Sequence, residues 1–250
     1  MPNLENIFER YRHYIDFLAN SNQKNFTRFI KWLLSYIRLK TNERSFHSTY
    51  LPKYQEGQII FADFGCCIGS EFSYPHYAVV LNVSDRKKNQ LLTVVPLTSK
   101  KKPKHTVLKP WEHELSMSIP KLLMVKVIQS FDLYKPEYEE LRSDIIRLSL
   151  QQLSESEFNS RYSDLLNQGI DALIKNNKDI MELREKMKEG SIVETNQIKT
   201  ISKSRIISPT KQVHPLYNVK ISSNDLHAIK YKIMKNIIIG DIDTKKEQRV

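Results

Sequence analysis

Glycine is scarce, with 6 in 250 residues. So few glycines cannot build several phosphate-cradling loops, and neither a Walker-type nor a dinucleotide-type glycine pattern appears. Cysteine is scarcer still. The 2 present, Cys66 and Cys67, are neighbours. That excludes a disulfide framework within the chain and fits a reducing compartment. A metal site would need further ligands at regular spacing, and none is visible, so no metal and no cofactor are expected. The two cysteines read as small packing residues near a strand end. No apolar run is long enough to span a membrane. The opening MPNLENIFERYRHY mixes acids and bases and lacks an apolar signal core. The expected compartment is therefore the cytoplasm, with no membrane partner. Zinc-protease histidine pairs and a nucleophile elbow are missing too. His13, His47, His105, His113, His214 and His227 occur singly and read as ordinary surface or core histidines.

What is abundant is positive charge. There are 39 Lys and Arg against 28 Asp and Glu, a net charge of +11. Such a balance speaks to partners rather than fold: nucleic acid, acidic membrane or acidic protein. The excess is clustered. Lys100, Lys101, Lys102 and Lys104 form one block, and Lys199, Lys203, Arg205 and Lys211 another.

Periodicity divides the chain. In NLENIFERYRHYIDFLA, apolar residues recur at spacings of three and four, and Asn3 is placed to cap the helix. A second such run, Phe26 to Ile37, makes residues 3–41 a helical hairpin. Residues 42–56 are polar, carry Pro52 and read as a connector. GQIIFADFG, HYAVVLNV and LLTVVPLT read as strands, with HTVLKP as a candidate fourth. Helical periods return between about 120 and 189, closing in IMELREKMKEG with Gly190 as a stop. SIVETNQIKTISKSRII is rich in β-branched residues and strand-like. SSNDLHAIKYKIMKNIII is an amphipathic helix with Leu226, Ile229, Ile233 and Ile237 on one face, and the tail DTKKEQRV reads as frayed.

Two neighbourhoods carry chemistry. One is the loop GCCIGSEFSYPH, with Ser70, Glu71, Ser73, Tyr74 and His76. The other is the strand end VVPLTSKKK, which sets Thr98 and Ser99 beside the lysine block. An imidazole, hydroxyls and cations suit cleavage of RNA through the ribose 2′-OH. One group removes the 2′ proton, cations stabilise the phosphorane, and an acid protonates the leaving 5′ oxygen. Hydroxyls at strand ends are also ordinary turn residues.

EGQIIFADFGCCIGSE resembles the opening strand and loop of the MazF/PemK toxin family. Gly57, Ile59, Ala62, Asp63, Gly69, Ser70 and Glu71 fall in step. HYAVVLN and TVVPLTS are similar to the family's next two strands. Downstream, SIVETNQIKTISKSRI resembles a second family segment through Ser191, Gln197, Ile198, Lys199, Thr200, Ile201, Lys203, Arg205 and Ile206. Ser202 stands where the family has Asp.

The resemblance implies an α+β fold, a small SH3-like β-barrel with an added helical hairpin and inserted helices. The chain departs from the family in two places: the barrel over 54–110 and 190–242 is split by a helical insertion over 120–189, and an N-terminal helical extension covers 1–50. Functionally the resemblance implies the toxin of a type II toxin–antitoxin system, a metal-independent endoribonuclease. Its partners would be single-stranded RNA, a cognate antitoxin and a second copy of itself in a homodimer. Carried over by position, the family's catalytic threonine falls on Thr98 and its catalytic arginine on His76. Glu71, Ser73, Ser99 and Lys100 are supporting candidates, with Lys100 as a substitute cation. Tyr74 would stack an unpaired base, and Lys101, Lys102, Gln197, Lys199, Lys203 and Arg205 would contact RNA. Arginine holds a fixed charge and histidine does not. The alternative is therefore a catalytically weakened module that binds nucleic acid or a protein. A third reading makes the added helices a cover or an association surface.

Overall fold

The computed structural model describes residues 3–101, 107–129, 139–175 and 190–239. Among the expectations, Lys102, Lys104, His105 and Thr106 of HTVLKP, the helix expected at 180–189 and the tail at 243–250 lie outside the described residues. The protein is mixed α and β, with antiparallel strands and additional helices. It forms two compact units. One comprises Met1–Pro96 with Gln197–Tyr217, the other Leu97–Asn196 with Asn218–Val250. The helical hairpin lies in the first unit, and residues 190–196 lie in the second.

The first unit opens with helices α1 (Leu4–Ser21) and α2 (Gln23–Thr41). Asn3 caps α1, its side chain accepting from the Glu5 N–H at 3.0 Å. Asn22 closes one helix and opens the next. Its N–H donates to the Leu18 carbonyl, while its side chain accepts from the Asn25 N–H. One residue with both roles gives a tight hairpin. Its seam is aromatic: Phe29 is buried, with Tyr14 edge-on at 5.3 Å and Trp32 at 5.5 Å between ring centroids.

Strands β1 (Ile59–Asp63), β2 (Pro75–Val80) and the start of β3 (Leu91–Ser99) follow as an antiparallel meander, with Ile59 opposite Val79 and Val79 opposite Val95. After Asn196 the chain returns as β6 (Lys199–Ser202) on β3 and β7 (Ile206–Ser208) on β1, where the register shifts between Phe61 and Ala62. The order is β6-β3-β2-β1-β7, and no ladder joins β7 to β6 among the described residues. Alternate residues Ile60, Ala62, Ala78, Val80, Leu92 and Val94 form one core with Tyr54, Phe64, Ile201 and Ile206. That is the period of two expected of strands.

Below this core, Lys203 donates to both Asp85 oxygens at 2.7 and 2.8 Å, and both side chains are wholly buried. Asp85 also accepts from the Tyr54 N–H, and the Lys203 ammonium stands 5.7 Å from the Tyr54 ring centroid. The Tyr54 hydroxyl donates to the Pro209 carbonyl at 2.8 Å, and burial pushes its pKa up.

In the second unit the end of β3 pairs with β5 (Ser191–Glu194), which pairs with β4 (Glu112–Glu114). The expected strand HTVLKP is displaced. Residues 107–110 are not a strand, because Lys109 to Glu112 form a turn, with the Glu112 N–H donating to the Lys109 carbonyl. Pairing begins only after Pro110, which has no N–H to give a ladder. Helices α3 (Ile119–Gln129), α4 (Glu139–Ser149), α5 (Glu155–Lys175) and α6 (Ser223–Ile233) complete this unit.

Ser222 caps α6, and Asp225 in its first turn accepts from the Ser116 hydroxyl at 2.6 Å, the Ser222 hydroxyl at 2.7 Å and His113 Nε2 at 2.9 Å. Burial works to raise the Asp225 pKa, but these hydrogen bonds outweigh it and hold the carboxyl below its usual range. Beyond Ile233 the chain continues as a π-helical segment, Met234–Ile239. The wider turn breaks the expected apolar face, and Ile237 is exposed.

Candidate active site

The loop from Gly65 to Tyr74, in the first unit, is a built structure. Gly65 and Gly69 take positive φ, +86° and +60°, where glycine costs least. Tyr74 also takes a positive φ, 69°, which a non-glycine residue adopts only when its surroundings impose it. Here the Tyr74 N–H donates to the Gly65 carbonyl at 2.6 Å, and the Phe64 N–H to the Tyr74 carbonyl at 3.1 Å. The two ends of the loop are clamped, and the chain enters β2 one residue later.

Strand β6 and the turn before it hold the loop from the side. Gln197 accepts from the Phe72 N–H at 3.3 Å and donates to the Ser70 carbonyl at 3.4 Å. The Lys199 ammonium donates to the Phe72 carbonyl at 3.3 Å, lies 3.1 Å from Cys67 Sγ and 3.5 Å from a Glu71 carboxylate oxygen. Ser73 turns inward, its hydroxyl accepting from the Cys67 N–H and donating to the Glu71 carbonyl. Glu71, Ser73, Gln197 and Lys199 are therefore brought together. Their contacts position the loop, and Glu71 pairs with Lys199.

His76 lies on β2 opposite Ala62, half-buried, with the Phe72 ring edge-on at 4.4 Å. Tyr74 is half-buried, and its hydroxyl sits 3.6 Å from Cys66 Sγ. Its pKa is pushed up to about 12, first by burial, then by Cys66 and Tyr14, against an opposing contribution from Arg28. Arg205 is half-buried and donates to the Asp63 carbonyl at 3.4 Å. Lys203, the next cation of that block, is 1% exposed on Asp85 and offers no charge at the surface.

Thr98 and Ser99 belong to the second unit. Both are half-buried on β3, opposite Ile192 and Ser191. Lys100 is engaged: its ammonium reaches both Glu114 oxygens at 2.7 Å, and its N–H donates to the Gly190 carbonyl. Lys101 is exposed. Among the described residues, no group of three His, Cys, Asp or Glu is placed to hold a metal ion. No described helix is long and apolar enough to cross a membrane.

Sequence reasoning missed what the hairpin brings to this loop. The Trp32 indole nitrogen lies 3.6 Å from where a Cβ on Gly65 would stand, and Arg205 Nη1 lies at 3.2 Å. The Ser35 hydroxyl donates to Asp63 at 3.4 Å. The cysteines were also misread as packing residues: both are half-buried and both face polar groups.

Residues 55–155, about two fifths of the chain, match the model of the PemK-like, MazF-like toxins of type II toxin–antitoxin systems. This segment is similar to that toxin family. The toxin segment takes in β1 to β4, the loop and α3 and α4. The downstream segment from Ser191 to Ile206 lies outside the match, so its likeness rests on its own residues. No curated protein matches the chain.

Proposed function

We propose that the chain is the toxin of a type II toxin–antitoxin pair and a metal-independent endoribonuclease acting on single-stranded RNA in the cytoplasm. The family match supports the first half. The loop supports the second: a strained, doubly clamped turn delivers His76 onto β2, and the Lys199 ammonium holds the Phe72 carbonyl of the same loop. Such strain persists only where surrounding contacts enforce it. His76 takes the ribose 2′ proton, and the 2′ oxygen attacks phosphorus. The 5′ oxygen leaves and takes a proton from solvent water, so the ends are a 2′,3′-cyclic phosphate and a 5′-hydroxyl. The Thr98 hydroxyl donates to a phosphate oxygen as charge develops, and Tyr74 stacks an unpaired base. Gln197, Lys199 and Arg205 line the path of the backbone. The same proposal includes an SH3-like barrel for the strands and a homodimer.

One observation favours the second reading, a weakened module that binds without cutting. Two of the cations expected to serve the chemistry are committed elsewhere, Lys100 to Glu114 and Lys203 to Asp85. Induced expression separates the two. Growth arrest by the unaltered chain, lost in His76→Ala and in Thr98→Ala, is expected. Undisturbed growth and intact bulk RNA would leave only the binding module.

A further inference from the structure

Helix α2 is one-sided in charge. It carries Lys24, Arg28, Lys31, Arg38 and Lys40, and no acid between Gln23 and Thr41. At 100° per residue, Lys24, Arg28, Lys31, Ser35 and Arg38 fall within an arc of about 80°. Lys40 lies off that arc and pairs with Glu43. The other four cations are exposed, and none is ion-paired to a described residue. Like charges at such spacings destabilise a helix. A stripe of this kind, with no carboxylate on its own helix, attracts an external polyanion.

The stripe has a fixed place. Ser35, at its centre, donates to Asp63 at the end of β1. One turn away, Trp32 abuts Gly65, where the loop begins. Arg28 acts electrostatically on Tyr74, where the loop ends. Beside the stripe, Trp32 and Tyr36 stack with centroids 5.7 Å apart, and Tyr36 is 41% exposed. Cations on one arc with an exposed aromatic beside them are what an unpaired strand needs: charge for phosphates and a face for a base.

We infer that α2 binds the sugar–phosphate backbone of single-stranded RNA through Lys24, Arg28, Lys31 and Arg38, alongside the loop from Gly65 to Tyr74. This rests on the RNA reading above but not on cleavage. The added hairpin is then part of the substrate surface rather than a cover over it.

The test uses the full chain and a single-stranded 2′-O-methyl RNA, which cannot be cut through the 2′ position, titrated over a salt series. In R28Q/K31Q/R38Q the slope of log affinity against log salt is expected to fall by about 2, with affinity at least ~10-fold weaker at low salt. The control K53Q/K87Q/K88Q removes as many exposed charges from the same unit and is expected to track the unaltered chain. If the triple variant does not fold, R28Q and K31Q are each expected to lower the slope by about 0.7. An unaltered chain that fails to bind sinks the RNA reading along with this inference. A chain that binds while its stripe variants keep the slope sinks this inference alone, as does equal loss in the control. Retained RNA slope with lost binding of poly-glutamate would assign the stripe to a protein partner and overturn it.

Discussion

Lys199 and Lys203 stand four residues apart in one short segment, and the sequence offers both as contacts for RNA. The structure gives them opposite surroundings. Lys203 is sealed against Asp85 with no exposed side-chain surface on either partner. Lys199 is a quarter exposed, shared among a carbonyl, a thiol and the outer carboxylate of Glu71. A buried ion pair ties the turn after β2 to the turn after β6. The partly exposed cation ties a loop and still faces solvent. The lesson is that a basic motif mixes structural and interactive charges, and only burial sorts them.

The comparison breaks most visibly at Lys203. Removing one partner leaves the other charge buried and alone, which costs about 3–5 kcal/mol. Lys203→Ala and Asp85→Ala are each expected to lose that much in chemical denaturation, while replacing both partners with apolar residues recovers much of it. Loss below 1 kcal/mol in either single variant would show that the pair is not the latch described.

Asp225 offers an intermediate case. It is a buried carboxylate with neutral donors from Ser116 and Ser222 beside His113. Asp225→Ala is expected to cost about 2–3 kcal/mol, since hydrogen bonds to a charged group are worth roughly 1.5–3 kcal/mol. Its folded pKa lies below the unfolded value. The stabilisation is therefore fully present above the unfolded carboxylate's pKa, about 4, and drains away as pH falls through the folded one. Melting curves of the unaltered chain and of Asp225→Asn should converge as the pH drops below about 4. Curves that stay parallel would deny Asp225 that part.

The smallest expected effect on stability is at Lys199. Half-exposed pairs contribute about 0–1 kcal/mol, so Lys199→Gln should unfold almost as the unaltered chain does. Its RNA affinity should nevertheless fall by several-fold, with a shallower salt slope. Equal destabilisation by Lys199→Gln and Lys203→Ala would erase the distinction between them.

Much of this was readable in the sequence. The hairpin of residues 3–41 follows from apolar spacing and from Asn3, because helix periodicity and capping are local. The strands β1, β2 and β3 follow from alternation and β-branched residues. The rest depends on contacts distant in sequence. Nothing local says that Asp85 waits for Lys203, that Glu114 occupies Lys100, or that Trp32 reaches Gly65. The fourth strand was misplaced because the turn at Lys109 is set partly by the Glu112 side chain. In the candidate site, the loop stood out by its unusual residues. The role of Gln197 and Lys199 in holding it became visible only once β6 was seen beside it.

The central claim is cleavage of single-stranded RNA without a metal. Purified full chain should be incubated with a defined RNA in excess EDTA, and the new ends mapped. Cuts that leave a 2′,3′-cyclic phosphate and a 5′-hydroxyl, lost in His76→Ala, are the predicted result. No cuts in EDTA, or cuts that persist in His76→Ala, would contradict it.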